Sequence, residues 1–378
     1  MRRELDRIEI PGEHEARERA WRVVKAAHAE REPLRRTNLR PALAAIAFAA
    51  IVAAAFTSPG RAVVDRVRDA IGVDGAEQTL FSLPAPGRLL VASDGGAWVV
   101  AADGGKRRLG DYDEASWSPF GRFVVATRHD EIAALDPSGE TQWKLARPRA
   151  RFARWGGSRT DTRIAYLSGR ELRVVAGDGE GDRRFAASVA AVAPAWRPLA
   201  LHVLAYAADG RVIVADAASR RRLWSRRVAD VRGIEWSRDG TRLLVRGQRS
   251  LRVFRANGSV EFELLREVDD GAPLTAAAFS PSGLSVAFVA RTVSRSHVWL
   301  IPRLRPDASA AREVFSGPGA FTDLAWSPDG RWVLAAWRDA DQWLFLSSGE
   351  RRQVRAVANV RRQFESERFP RIGGWVAP

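Results

Sequence analysis

The sequence predicts an all-β fold: a seven-bladed β-propeller closed by its C-terminal strand, preceded by an N-terminal helical segment and one transmembrane helix. Three observations predict it. A unit of roughly 40 residues recurs along most of the chain, as in blade repeats. Each unit carries strand-like apolar runs separated by Gly, Ser and Asp turns. The chain ends on an apolar octapeptide, "RIGGWVAP" (371–378), where a tail is ordinarily polar and loosely held. The 14 Trp and 31 Gly among 378 residues fit a β-rich protein with many tight turns.

Residues 1–40 read as a cytoplasmic juxtamembrane segment. Within it, 12–32 lacks Pro and spaces Ala16, Ala20, Trp21, Val23, Val24 and Ala27 loosely at helical intervals. Glu13, Glu15 and Glu18 suit the start of that helix, and Pro33 stops it. Between Arg40 and Arg61 lie twenty uncharged residues, "PALAAIAFAAIVAAAFTSPG". At about 1.5 Å per residue this run spans a hydrocarbon core of roughly 30 Å. Because it has no polar stripe before Thr57, residues 41–57 are expected to form a transmembrane helix, not a core helix. Arg31, Arg35, Arg36 and Arg40 precede it, against Arg61, Arg66 and Arg68 after it, which favours a cytoplasmic N-terminus. The rival is a cleaved signal peptide ending near "AAAF" (53–56), but the long preceding segment favours an uncleaved anchor. Residues 58–82 are expected to be a stalk, with helical spacing over 61–73.

The repeat begins beyond it. "ASWSPFGRFVVATR" (115–128) recurs as "IEWSRDGTRLLVRG" (234–247), "AAFSPSGLSVAFVA" (277–290) and "LAWSPDGRWVLAAW" (324–337), with weaker copies at 153–169 and 194–210. The anchor aromatics are Trp117, Trp155, Trp196, Trp236, Phe279 and Trp326, separated by 38, 41, 40, 43 and 47 residues. Each is expected to end a first strand and fill the wedge between radial sheets. Ser-Pro-Asp-Gly then turns the chain, with Pro presetting φ, Asp bonding the local backbone and Gly taking a positive φ. An almost wholly apolar second strand follows, then a third, then a more polar fourth such as "TQWKL" or "RRLWS". The first unit (83–109) lacks an anchor strand, and Trp375, 49 residues after Trp326, supplies it. Residues 83–378 thus give seven units of about 42 residues, the length of a propeller blade.

The "W-S-P-D-G" turn followed by an apolar strand resembles the propeller repeat of TolB and related envelope proteins, a WD-like repeat without a regular Trp-Asp ending. The resemblance covers roughly 83–378 and implies a fold. The opening "ELDRIEIPGEHEARERAWRVV" and closing "GWVAP" resemble single-pass, membrane-anchored propeller proteins of actinobacteria, a group with no assigned activity. "ALDPSGETQW" (134–143) and "VADAASRRRLW" (214–224) are similar to the third-to-fourth-strand turn of quinoprotein-type propellers.

Chemistry is harder to find. With no Cys, disulfides and Cys-based metal motifs are excluded. His14, His28, His129, His202 and His297 show no close pairing, so no metal or cofactor is expected. Asp239 and Asp329 repeat at one turn position, which argues for turn formation over catalysis. "GDGEGD" (177–182) resembles a calcium loop in composition alone and reads as a flexible turn. No catalytic residue is expected. The net charge is +15, of which residues 1–40 contribute +3 (11 basic, 8 acidic), so the propeller side is basic. Clusters at 105–110, 219–227 and 349–364, the last two interleaved with Trp224 and Phe364, fall near the propeller rim; nucleic acid is not expected outside the cytoplasm.

The functional expectation is a membrane-tethered, extracytoplasmic, monomeric and non-enzymatic module that binds a protein or an anionic envelope polymer. Two alternatives are a propeller enzyme or cofactor-binding domain, hydrolytic or quinoprotein-like, with a central-channel site, and a signalling protein using the N-terminal helix.

Overall fold

The structure, a computed structural model, describes residues 74–77, 82–265, 272–304 and 311–378. The expected cytoplasmic segment (1–40), transmembrane helix (41–57) and stalk helix (61–73) lie outside these residues. Among the described residues no helix is long and apolar enough to cross a membrane.

Seven sheets, each with four antiparallel strands, are the seven blades of a propeller. Blade 2 consists of 114–117, 124–128, 131–135 and 141–146, from the innermost strand outward. Blades 3 to 6 repeat this plan, with first strands at 150–157, 195–196, 231–236 and 274–279. Blade 7 runs 321–326, 332–337, 342–347 and 354–358. Blade 1 takes 88–93, 96–100 and 106–110 from the start of the domain and its innermost strand, 371–376, from the end. Leu89 faces Trp375 and Arg88 faces Val376 in that pairing. The tail is therefore the missing strand.

Local chemistry explains the strands. The second strand of blade 7, "WVLAAW", is buried at every position, because neighbouring blades cover both its faces. The fourth strand of blade 2, "TQWKLA", alternates exposed and half-buried residues, as an outer edge does. In blade 4 the innermost strand shrinks to Ala195–Trp196, directly after Pro194, which has no N–H for a ladder. The turns work as their sequence implies. Ser118, Ser237, Ser280 and Ser327 are buried, and each Oγ accepts the backbone N–H five residues on. Gly121, Gly240, Gly283 and Gly330 close the same turns at φ between +63° and +71°.

Two features were not foreseen. Residues 74–77, within the expected stalk, form a fifth strand on blade 7, parallel to 354–358, with Asp74 opposite Arg355. Helix α1 (Val360–Gln363) crosses from blade 7 to the closing strand, and Phe364 at its end is buried. Phe364 packs 6.0 Å from Trp98 of blade 1 and 5.1 Å from Trp343 of blade 7, centroid to centroid. It is a wedge in the closure seam, so it is unavailable for stacking on a ligand. Trp224 is likewise buried, its Nε1 donating to the Ala256 carbonyl of blade 5.

Closure places Trp375 in one apolar cluster with Leu89, Trp98, Trp332, Phe345 and Phe364. Trp375→Ala is expected to cost ~3–5 kcal/mol, the usual loss for emptying a buried aromatic site. Truncation before Arg371 should cost more and broaden or split the unfolding transition of the whole domain. Calorimetry on both variants checks this; an unchanged midpoint for the truncation would show that the seam is dispensable.

Candidate functional site

The innermost strands surround a central channel, and what the channel can do depends on how the blades are held. The seven anchors, Trp117, Trp155, Trp196, Trp236, Phe279, Trp326 and Trp375, all lie in innermost strands and are buried. The indole N–H groups of Trp117, Trp196 and Trp326 donate to carbonyls of the preceding blade, at Gly374, Arg154 and Ala278. Arg88 and Arg197 lie over the rings of Trp117 and Trp236, and each also donates to the turn glycine carbonyl of the following blade, Gly121 or Gly240.

Carboxylates stitch in the opposite direction. Glu114, three residues before Trp117, accepts the N–H of Phe152, three before Trp155. Asp323, three before Trp326, accepts the N–H of Ile372, three before Trp375. Glu235, one before Trp236, accepts the N–H of Phe279 at 3.3 Å. Single-sequence reasoning missed these three acids because anchor alignment alone does not say which neighbours face a lumen. The signal was present as a lone acid inside each of these first strands.

The channel holds a cavity of about 950 Å³, lined from the turn prolines Pro119, Pro281 and Pro328 inward to Arg246 and Asp323. Small residues such as Gly233, Ala277 and Gly373 leave it open. Its charges are unbalanced: five arginines, Arg154, Arg159, Arg232, Arg238 and Arg246, against Glu235 and Asp323. Removal from bulk water pushes the Glu235 carboxyl up to about 8, with only the Phe279 N–H opposing. Burial also pushes Asp323 up to about 6, against the pull of Arg371, the Ile372 N–H and Arg246. Desolvation lowers both Arg154 and Arg246, which nonetheless stay charged. A smaller cavity of about 420 Å³ lies at the opposite face, between Asp113, His129, Arg149 and Arg170.

The remaining sequence candidates are dispersed. His129, His202 and His297 each meet a different carboxylate, Asp130, Asp161 and Glu313, at 2.8, 2.8 and 2.9 Å. No cluster of three or more potential metal ligands occurs among the described residues. Asp239 and Asp329 bond their own turns, through Ser237, Thr241, Ser327 and Arg331. In the 177–182 segment, Asp178 bonds the Glu180 N–H within its turn. Asp182 is not part of a flexible turn: its side chain is 5% exposed and receives Arg147, Arg173 and the Tyr166 hydroxyl. The two quinoprotein-like turns also find a structural use. The outer Trp143 and Trp224 donate to Gly177 and Ala256 in the next blade, and a Cβ on Gly179 or Gly258 would stand 2.9 or 2.8 Å from the ring.

No protein-family profile matches the chain, and no curated protein does either. Solved structures do. The propeller of Cps50 (Swd1) from Myceliophteria thermophila superposes with a TM-score of 0.52 at 16% identity, covering 68% of this chain and 95% of that one. A chain of the Mitotic Checkpoint Complex gives 0.52 at 19%, covering 71% and 90%. A 6-phosphogluconolactonase-type propeller from Bacteroides fragilis, itself a provisional assignment, gives 0.54 at 12%, covering 78% and 98%. At these identities the likeness shows the fold: the chain is a seven-bladed β-propeller with WD-repeat-like structural neighbours.

The two buried acids should act oppositely on stability. Glu235 titrates above its unfolded value, so the folded state loses stability as pH rises from the ordinary carboxyl range through about 8. Glu235→Gln should remove that loss, giving a smaller fall in melting temperature between pH 5 and pH 8.5 than the parent shows. Burial alone would raise Asp182, but Arg173, Tyr166 and Arg147 outweigh it and hold the carboxyl below its ordinary value. Its stabilisation is present above the unfolded pKa and lost as pH falls through the folded one. Asp182→Asn should cost ~3–5 kcal/mol at neutral pH, measured by denaturant unfolding, because it strands two partly buried guanidinium groups.

Proposed function

We propose that the protein is a non-enzymatic binding module whose propeller, tethered to the cell membrane by residues 41–57 and exposed outside the cytoplasm, holds a protein partner. The observation that carries this is one composite face. Of eight exposed large apolar side chains among the described residues, five, Phe120, Phe123, Leu199, Leu201 and Leu284, lie in the first-to-second-strand turns of blades 2, 4 and 6. Leu199 is 89% exposed. On equivalent turns of blades 2, 3, 5 and 7 stand the exposed Arg122, Arg159, Arg238 and Arg331. Apolar groups framed by guanidinium groups suit a partner with an apolar patch in an acidic surround. The likeness to a propeller of the Mitotic Checkpoint Complex supports the same use of the fold. The basic surface also suits an anionic envelope polymer, which would bind through the arginines without needing the leucines.

The enzymatic reading draws on Glu235, a carboxyl that stays protonated at neutral pH inside a cavity and so has the form of a general acid. Turnover of a lactone that is lost in Glu235→Gln would establish it over the binding reading.

Crosslinking on intact cells, with Phe120→Glu/Leu199→Glu as the comparison, tests the proposal. A protein recovered with the parent should be lost with the double variant at unchanged melting temperature; equal recovery would remove this face from the interaction. Protease added to intact cells should degrade the propeller, and full protection would overturn the external location.

A further inference from the structure

We propose that the central channel binds a small organic anion bearing carboxylate or phosphate groups, held between Arg154 of blade 3 and Arg246 of blade 5. This does not rest on the protein-binding reading, because the channel can hold an anion whatever occupies the turn face.

The geometry of the two arginines is the argument. Arg154 stands in an innermost strand, one residue before its anchor, and lines the cavity. Its protein hydrogen bond runs from Nη1 to the carbonyl of the adjacent Ala153, at 2.9 Å. Arg246 lies on the second strand of blade 5, donating to the carbonyls of Leu274 at 2.8 Å and Arg232 at 3.1 Å. Neither forms an ion pair with a carboxylate among the described residues. Other partly buried guanidinium groups have a carboxylate in contact, Arg173 with Asp182, Arg242 with Glu261 and Arg252 with Glu263, or rest on an indole ring as Arg88 and Arg197 do; among the described residues Arg154 and Arg246 have neither. Desolvating a cation that no carboxylate contacts is costly, and a guanidinium fork fits a carboxylate or phosphate through two parallel bonds. A lumen that keeps two such groups half-buried and open to a 950 Å³ space is preorganised for an anion.

The surrounding charges favour it. Arg232 lines the same cavity as Arg246, and Arg159 and Arg238 are exposed on its lining. At the far end Arg371 is paired with Glu114 at 3.4 Å. Arg246 feels the carboxylates of Asp323 and Asp230 without contacting either, and Arg154 that of Glu114; Asp323 is shared with Arg371 and the Ile372 N–H. Glu235, the other acid in the cavity, is uncharged until the pH nears 8 and can donate its hydroxyl to an anion below that.

The test is calorimetric titration of the full-length protein in detergent with citrate and with inorganic phosphate, at constant ionic strength. Saturable binding of at least one is expected, and the tighter of the two identifies the headgroup class. Arg154→Gln and Arg246→Gln should each weaken it at least tenfold, whereas Arg331→Gln, which removes the same charge from an exposed turn, should not. Absence of saturable binding by both probes, or equal weakening by all three variants, would overturn the proposal. A second measurement covers a variant that fails to fold. Parent affinity should fall as the pH passes about 8 while Glu235→Gln keeps it; an identical fall in both would place the anion outside the channel.

Discussion

Everything in this structure depends on one pairing, the antiparallel ladder between 88–93 and 371–376. A ring of radial sheets has no stable open form, because the first and last blades would each expose an apolar face as wide as a blade. Sharing blade 1 between the two ends of the domain turns that liability into closure. The cost is a contact across more than 280 residues, from Leu89 to Trp375, which must be made before the ring is complete. The seam is correspondingly reinforced. Phe364 is wedged between Trp98 and Trp343, the Ser93 hydroxyl donates to the Phe364 carbonyl, and the Arg368 N–H donates to Asp94.

Once the ring is closed, neighbouring blades are held by a small vocabulary of contacts used repeatedly. Indoles of the first strands donate backward to the preceding blade, and carboxylates of the same strands accept forward from the next. On the outside, Trp143 and Trp224 lean on glycines of the following blade. Each contact satisfies a backbone group that would otherwise face an apolar seam or an enclosed lumen, and such groups are costly to leave unpaired. The copies are uneven: among the described residues Trp155, Trp236 and Trp375 have no hydrogen-bond partner for the indole N–H, and Trp236 has an arginine over its ring instead. A repeat fold tolerates this because its stability is summed over neighbouring interfaces.

The same stitching shapes the channel electrostatics. Glu114 is neutralised by Arg371, and Glu235 is pushed toward its uncharged form, so most of the negative charge near the axis is already spent. Arg154 and Arg246 keep theirs. A site for an anion therefore arises as a consequence of how the acids hold the blades, which is why the binding chemistry and the architecture cannot be separated in the innermost strands.

The sequence by itself determined the period, the four-stranded unit, the Ser-x-Asp-Gly turns, the anchor aromatics and the donation of 371–376 to blade 1. These are properties of local pattern: alternation, burial of a continuous apolar run and the φ that a turn requires are set within a few residues. Only the tertiary structure decided which charged side chains share a lumen. Arg154 and Arg246 are 92 residues apart in sequence, and nothing in either neighbourhood marks its side chain as pointing inward. For the same reason Phe364 and Trp224 read as aromatics within basic clusters and turn out to be packing residues, and Asp182 reads as part of a polar loop and turns out to be a buried counter-ion. The fifth strand at 74–77 is also a tertiary decision, since an outer edge accepts a strand through backbone bonds that carry no sequence signature. Convergence around an axis depends on the summed twist and stagger of seven sheets, and that geometry is written in no single repeat.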